Sequence, residues 1–255
     1  MSFRNCIETG YPFVEAILST LPLCDEYLIN DGGSDDGTFE ILKRLGEMFP
    51  DKIRIFNIPD YISERWECVS EQYNKLISES VGDWIFQGNA DELIHEDDII
   101  KFKQSIVSES KADVIRYPRR EVVKNWSGLS EYIYYPARVA RNIQGLHQKW
   151  QSHGGDEFID SIEWMRYPPR AIKKEIMIWH LYGIFPANVP KKREKDAFHT
   201  ATINRAKIYE SAKHRKPKWI EPINVLPNLP ILVQGLVGMF EYRVRDDLLD
   251  QKNII

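Results

Sequence analysis

The chain has 255 residues, a formal net charge of -4, 43% apolar residues and 28% charged residues. That length suits one domain, or one domain with a C-terminal extension, and the apolar fraction suffices for a sizeable core. The small negative charge gives no overall attraction to nucleic acid, and no run of about 18 uninterrupted apolar residues marks a conventional transmembrane helix. In chain order, Glu26 to Asn30 reads as a strand ending in a polar turn, and Thr38 to Met48 as a helix. Lys52 to Asn57 is a second strand, and Trp66 to Ser80 carries Val69, Tyr73, Leu76 and Ile77 at helical spacing. Asp83 to Gln87 is a third strand, Asp97 to Val107 a helix, and Asp113 to Tyr117 a fourth strand. Strands alternating with helices predict an α/β fold with a mainly parallel central sheet flanked by helices. Ligands of such sheets gather at the carboxyl ends of the strands.

From Arg119 to His180 the chain becomes richer in aromatics and Pro, with strand-like pieces at Tyr132 to Tyr135, Arg138 to Arg141 and Glu175 to Leu181. The last third holds two basic runs, Lys191 to Lys195 and Lys213 to Lys218, then an apolar helix candidate around Ile231 to Leu249. The division expected is a catalytic unit over 1–185 and a basic, helical extension over 186–255 that packs on it. The basic runs and the apolar helix suit an anionic lipid surface or a phosphate-bearing acceptor; solvated loops and a helix covering the sheet are the commoner use. Cys6, Cys24 and Cys68 form no C-x-x-C pair, which indicates neither a zinc site nor a disulfide framework. Reduced thiols and an N-terminus without an apolar signal core predict a cytoplasmic setting.

Two strands run into acidic turns. The first turn, Asp31-Gly32-Gly33-Ser34-Asp35-Asp36-Gly37-Thr38, combines glycines that let backbone approach a flat ligand with carboxylates that accept from nucleoside donors. Asp36 or Thr38 starting the next helix is the plainer account of part of it. It is neither a P-loop nor a Rossmann fingerprint. The second turn follows Asp83-Trp84-Ile85-Phe86 and presents Asn89, Asp91 and Glu92. One or two carboxylates beside a nucleotide suit a hard divalent cation that keeps water and phosphate oxygens in its shell. Late in the sheet, His180 stands in the apolar run Ile176-Met177-Ile178-Trp179-His180-Leu181. A single histidine there is more often a hydrogen-bonded core residue than a ligand, unless the fold brings it beside Asp91.

Taken together, these segments resemble the family 2 glycosyltransferases with a GT-A fold, over roughly residues 1 to 185. Tyr11 to Ile17, Leu21 to Glu26 and the Asp31 to Thr38 turn look like that family's nucleotide-binding half. Gln87-Gly88-Asn89-Ala90-Asp91-Glu92 resembles its D-x-D element, and Trp179-His180-Leu181-Tyr182-Gly183 its late histidine. The resemblance implies hexose transfer from a UDP- or GDP-sugar to a glycan, lipid-linked or protein-linked hydroxyl, with Mn²⁺ or Mg²⁺ and inversion at the anomeric carbon. It implies that Asp31, with Gly32 and Gly33, contacts the base or ribose. It further implies that Asp91 is the principal metal ligand, with Asn89 and Glu92 beside it and His180 as a further ligand or diphosphate contact. The general base is expected in the loop facing the acceptor, where Asp156 and Glu157 are the local candidates with Asp160 behind them.

Three departures stand out from that pattern. Asn89 replaces the first D-x-D carboxylate, Gly32 replaces the second acidic residue of the nucleoside turn, and Met1-Ser2-Phe3 supplies only the end of the usual first strand. Asn89 and the short first strand favour the alternative of a degenerate GT-A domain that binds nucleotide or carbohydrate without turnover, and Gly32 leaves the base preference open. A nucleotidyltransferase is the other enzyme reading, but its glycine-rich, Arg/Lys-containing first-strand signature is missing.

Overall fold

A computed structural model of the protein describes residues 1–9, 11–58, 66–123, 128–148, 151–153, 157–159, 162–164 and 170–181. The expected extension over 186–255, both basic runs, Asp156 and Asp160 lie outside the described residues.

The chain opens with β1 (Ser2–Phe3) and α1 (Cys6–Thr9), followed by α2 (Phe13–Thr20), β2 (Tyr27–Asp31), α3 (Thr38–Met48) and β3 (Ile53–Asn57). The three strands form a parallel sheet in the order β1-β2-β3. Every residue of α2 is buried, the polar Glu15, Ser19 and Thr20 included. α3 is amphipathic instead and buries Leu42 and Leu45. These two helices and β2 enclose one core around Phe3, Phe13, Ile17, Ile29 and Leu42.

α4 (Trp66–Glu79), β4 (Trp84–Phe86) and β5 (Glu92–Ile94) come next. After a 3-10 turn over Glu96–Asp98, in which His95 Nδ1 accepts from the Asp97 amide, the chain forms α5 (Ile99–Val107). The remaining strands are β6 (Val114–Arg116), β7 (Arg119–Val123), β8 (Gly128–Tyr134), β9 (Ala137–Arg141), β10 (Leu146–Gln148), β11 (Gln151–His153), β12 (Glu157–Ile159), β13 (Ile162–Trp164), β14 (Ala171–Lys173) and β15 (Ile178–His180).

Parallel flanked strands are therefore present, but the expectation of one mainly parallel sheet needs correcting beyond β3. One four-stranded sheet has the order β14-β6-β9-β4, with β9 antiparallel to both neighbours. Another has the order β5-β15-β7-β8, with β15 parallel to β7 and antiparallel to β5. Connection length accounts for the antiparallel β7–β8 pair, whose link is too short for a crossover, whereas the helical crossovers of the first half allow parallel strands. A second core, with Leu23, Phe102, Ile115, Tyr117, Val139 and Ile178, spans the two mixed sheets. Inside it the Phe102 and Tyr117 rings stack with centroids 4.0 Å apart. Glu175 to Leu181, expected to be extended throughout, pairs as a strand only at Ile178–His180.

Candidate functional site

β15 sets the geometry. It lies between β5 and β7, and the register places His180 opposite Glu92 on one side and Glu121 on the other. Residues abreast in a sheet project from the same face, so one imidazole and two carboxylates share a row. Asp91 completes the group from the turn before β5. Its Oδ2 lies 3.4 Å from His180 Nε2, and its carbonyl accepts from the Leu181 amide at 2.8 Å. The other ring nitrogen, Nδ1, lies 3.6 Å from Glu121 Oε1.

Both His180 and Asp91 are buried. Burial is the largest influence on the imidazole and disfavours its charge, and Arg119 adds to that effect. Asp91, with hydrogen bonding to Asp91 and Glu121, outweighs both, and the His180 pKa is raised above its ordinary value. The expected meeting of His180 with Asp91 is thus present.

Glu92 does something different from what the sequence suggests. Its carboxylate takes a two-pronged bond from Arg138, with Nε donating to Oε2 at 2.8 Å and Nη2 donating to Oε1. Arg119 Nη1 donates to Oε1 at 3.1 Å, and Asn89 Nδ2 to the same oxygen at 3.3 Å. Arg138 is wholly buried. Burial pushes the Glu92 carboxyl up, but the two guanidinium groups together hold it below its usual range. Because Arg138 belongs to β9 and Glu92 to β5, this ion pair fastens the two mixed sheets together. Arg119 also lies over the Tyr134 ring, 5.5 Å from its centroid.

The first acidic turn is equally well determined. Asp31 ends β2 and is buried, with Oδ2 accepting from the Gly33 amide at 2.9 Å and the Ser34 amide at 2.8 Å. Its Oδ1 accepts from Ser34 Oγ at 2.5 Å. Gly33 has φ 86°, in the left-handed region where a side chain is strained. The turn is pinned to the chain after β1: Ser34 Oγ accepts from the Asn5 amide at 3.0 Å, and Thr38 Oγ1 accepts from the Cys6 amide at 2.9 Å. Gly32 donates its amide to Phe3 at 2.7 Å, and a Cβ there would meet that carbonyl at 3.3 Å. The methyl end of the Met1 side chain packs against Gly88, where a Cβ would have to displace it. Both acidic turns therefore flank the same short strand, β1.

The expected residues thus fall into distinct places. Asp91 and His180 meet, Glu92 and Asn89 join the arginine cluster beside them, and Asp31, Gly32 and Gly33 build the first turn. Glu157 opens β12, where it pairs with His153 of β11. Three charged residues were not singled out in the sequence: Glu121, Arg119 and Arg138. Arg138 had a signal, since it is the one charge inside the small, apolar stretch Ala137-Arg138-Val139-Ala140. A strand of that composition is buried, and a buried arginine requires an acid. Among the described residues, no group of three or more His, Cys, Asp or Glu converges as a metal cage. None of the described helices is long and apolar enough to cross a membrane.

The mixed α/β scaffold carries its two acidic turns at strand ends, as the GT-A resemblance of the sequence implies. In agreement, residues 1–210 match the Glycosyl transferase family 2 model, and the chain belongs to that family. Its α/β fold is GT-A-like. No curated protein matches it. Among solved structures it is similar to S. aureus TarS 1-349, with 18% identity and a TM-score of 0.37 over 48% of this chain and 35% of that one. The crystal structure of S. aureus TarS gives 18% identity and a TM-score of 0.36, over 48% of this chain and 21% of that chain. TarS 1-349 in complex with UDP likewise gives 18% identity and a TM-score of 0.36, over 48% and 35%. The chain spans about a third or less of the length of those proteins.

Proposed function

We propose that this enzyme transfers a hexose from a UDP- or GDP-sugar to an acceptor hydroxyl on a glycan, lipid-linked or protein-linked substrate, inverting the anomeric carbon. The observation that carries the reading is the Asp91–His180 contact at the start of β5, inside a family 2 chain. In the reaction the acceptor oxygen attacks C1 of the donor sugar as the bond from C1 to the diphosphate breaks. The electron pair leaves with the diphosphate, and a carboxylate base takes the hydroxyl proton. Asp156 and Glu157 are the proposed bases.

The donor set fits a divalent cation in part. Asp91 offers oxygen and His180 Nε2 offers nitrogen, and Glu121 on the far ring nitrogen would fix the imidazole's tautomer, as second partners of metal-bound histidines do. Glu92 does not fit as a ligand, because arginines engage both of its oxygens; its proposed role is to hold Arg138 and Arg119 in place. A bound Mn²⁺ or Mg²⁺ would supply charge stabilisation of the departing diphosphate. Arg119, whose buried Nε has no hydrogen-bond partner among the described residues, would add to that effect. The turn built by Asp31, Gly32 and Gly33 is assigned to the nucleoside.

Residues 1–185 would form the catalytic unit and 186–255 an extension packed on it, in a cytoplasmic enzyme that contacts anionic membrane lipid through its basic runs. A screen of nucleotide sugars by product-nucleotide release, with and without Mn²⁺, tests the reaction. Donor-dependent release that Asp91→Ala abolishes supports it; release that Asp91→Ala leaves intact rules out the site.

A further inference from the structure

Gly32 is a glycine for reasons of space, not of backbone conformation. The left-handed glycines among the described residues are Gly33, Gly37 and Gly145, and Gly32 is not one of them. A Cβ on Gly32 would meet the Phe3 carbonyl at 3.3 Å, Gln72 Nε2 at 3.4 Å and Arg4 Cβ at 3.5 Å. The turn is therefore backed by a side chain from α4. That side chain, Gln72, is itself buried.

Gln72 belongs to a closed circuit of hydrogen bonds. Its Oε1 accepts from Ser2 Oγ at 2.6 Å, and Ser2 Oγ accepts from Asn30 Nδ2 at 3.2 Å. Asn30 Oδ1 accepts from the Ile58 amide at 2.9 Å. The Ile58 carbonyl closes the circuit, accepting from Gln72 Nε2 and Asn30 Nδ2 at 3.4 Å each. Side chains of β1, β2 and α4 thus converge on the backbone of one residue just past β3.

Register explains where the circuit acts. Ser2 lies abreast of Asn30 and Phe3 abreast of Asp31, so the circuit sits one residue before the turn. The β2–β3 ladder ends at the Asp31–Asn57 pair. Beyond it, the two ends of the wholly buried Asn30 amide grip the amide and carbonyl of Ile58, extending the hold by one residue. Asp31 shapes the turn from within through Gly33 and Ser34. Gln72 supports it from behind, touching Gly32 and the circuit at once. Each hydrogen bond lost here would leave buried polar atoms short of a partner. A turn held in its binding shape before the nucleotide arrives also spares the complex the cost of ordering it.

We propose that Gln72 is a positioning residue for the nucleoside turn: it fills from α4 the place that a side chain at residue 32 would take and, through Ser2 and Asn30, fastens the turn to Ile58. The proposal rests on the nucleotide-sugar reading above and adds a residue outside both acidic turns.

The test titrates the full chain with UDP and with GDP, in the presence of Mn²⁺ and at a temperature where every variant is folded. Gln72→Met removes the amide and keeps an adaptable side chain of similar size. It should weaken binding of the preferred nucleotide about tenfold, and Ser2→Ala, which deletes one bond of the circuit, about fivefold. The double variant should bind no more weakly than Gln72→Met, because both changes break the same connection. Lys75→Ala removes an exposed ion pair with Glu79 on the same helix and should leave affinity unchanged. If Gln72→Met does not fold, Ser2→Ala and its Lys75→Ala control carry the test. Variants that bind as tightly as the wild type, whatever their thermal midpoints, would leave the circuit a role in the fold only and overturn the proposal alone. A matching loss in Lys75→Ala, or additive losses in the double variant, would overturn it too. If the wild-type chain binds neither nucleotide, the reading under it fails as well.

Discussion

His180 and Asp91 are held together twice: ring nitrogen to carboxylate at 3.4 Å, and the next backbone amide, Leu181, to the Asp91 carbonyl at 2.8 Å. The backbone bond fixes the turn against the strand, so the side-chain contact does not depend on a mobile loop. Glu121 on the opposite side completes a carboxylate-imidazole-carboxylate arrangement.

That arrangement has a pH signature in the metal-free protein. The folded His180 pKa lies above its ordinary value of 6.5, so the protonated ring stabilises the fold. This contribution is complete below the unfolded value of about 6.5 and is lost as pH rises through the raised folded value. Denaturant unfolding of the wild type and His180→Gln across this range should give a stability difference that shrinks as pH rises. A constant difference would show that the ring is not charged in the fold. Proton and cation compete for Nε2, so added Mn²⁺ should stabilise the wild type more at high pH than at low pH.

Glu121→Gln keeps the shape of the side chain and removes its charge. Its expected cost is about 10- to 100-fold in metal-dependent donor affinity, the usual effect of losing a partner behind a metal-bound histidine. Metal titrations followed by donor binding would read it. His180→Ala should weaken metal-dependent donor binding more than folding. A large loss of thermal stability with donor affinity unchanged would instead make His180 a core residue.

The Glu92–Arg138 pair should behave as a structural fastening. Removing one partner leaves an uncompensated buried charge, which costs about 3–5 kcal/mol. Glu92→Leu and Arg138→Met should therefore each lower the thermal midpoint sharply. The double variant, apolar on both sides, should recover much of that loss, giving a large coupling energy in a double-mutant cycle. Additive effects would place the two side chains outside a shared interaction.

Much of this fold follows from short-range patterns. The helix Thr38–Met48 falls on its expected residues, and β2, β3 and β4 lie within a residue or two of theirs. Apolar periodicity and the Asp36–Thr38 helix start are local, so the sequence carries them openly. The mixed sheets were not legible, because the pairing of β15 with β5 and β7 joins residues far apart in the chain. The same limit applies to the site. Asp91 announced itself by following an apolar strand, and His180 by interrupting one, but the partners Arg119, Glu121 and Arg138 acquire meaning only through register. The two carboxylates that looked alike as candidates, Asp91 and Glu92, are separated by their partners: Asp91, in the turn before β5, meets His180, whereas Glu92, in the strand, is engaged by Arg138 and Arg119.

The nucleoside turn offers the sharpest distinction between contact and positioning. Asp31 spends its oxygens on Gly33 and Ser34, and Ser34 Oγ in turn accepts from Asn5. If the carboxylate acts by shaping the turn, Asp31→Ala and Ser34→Ala should weaken nucleotide binding together. They should also destabilise the chain, by about 1–3 kcal/mol for each buried group left unsatisfied. Thr38→Val, which removes the acceptor for the Cys6 and Ile7 amides, should follow in the same direction. If Asp31 touches the nucleoside directly, Asp31→Asn should change the preference between UDP and GDP, while Ser34→Ala and Thr38→Val leave that preference alone. Calorimetric titration of the four variants with both nucleotides separates the outcomes. The bonding around Asp31 predicts the first: a shared loss of affinity with an unaltered choice of base.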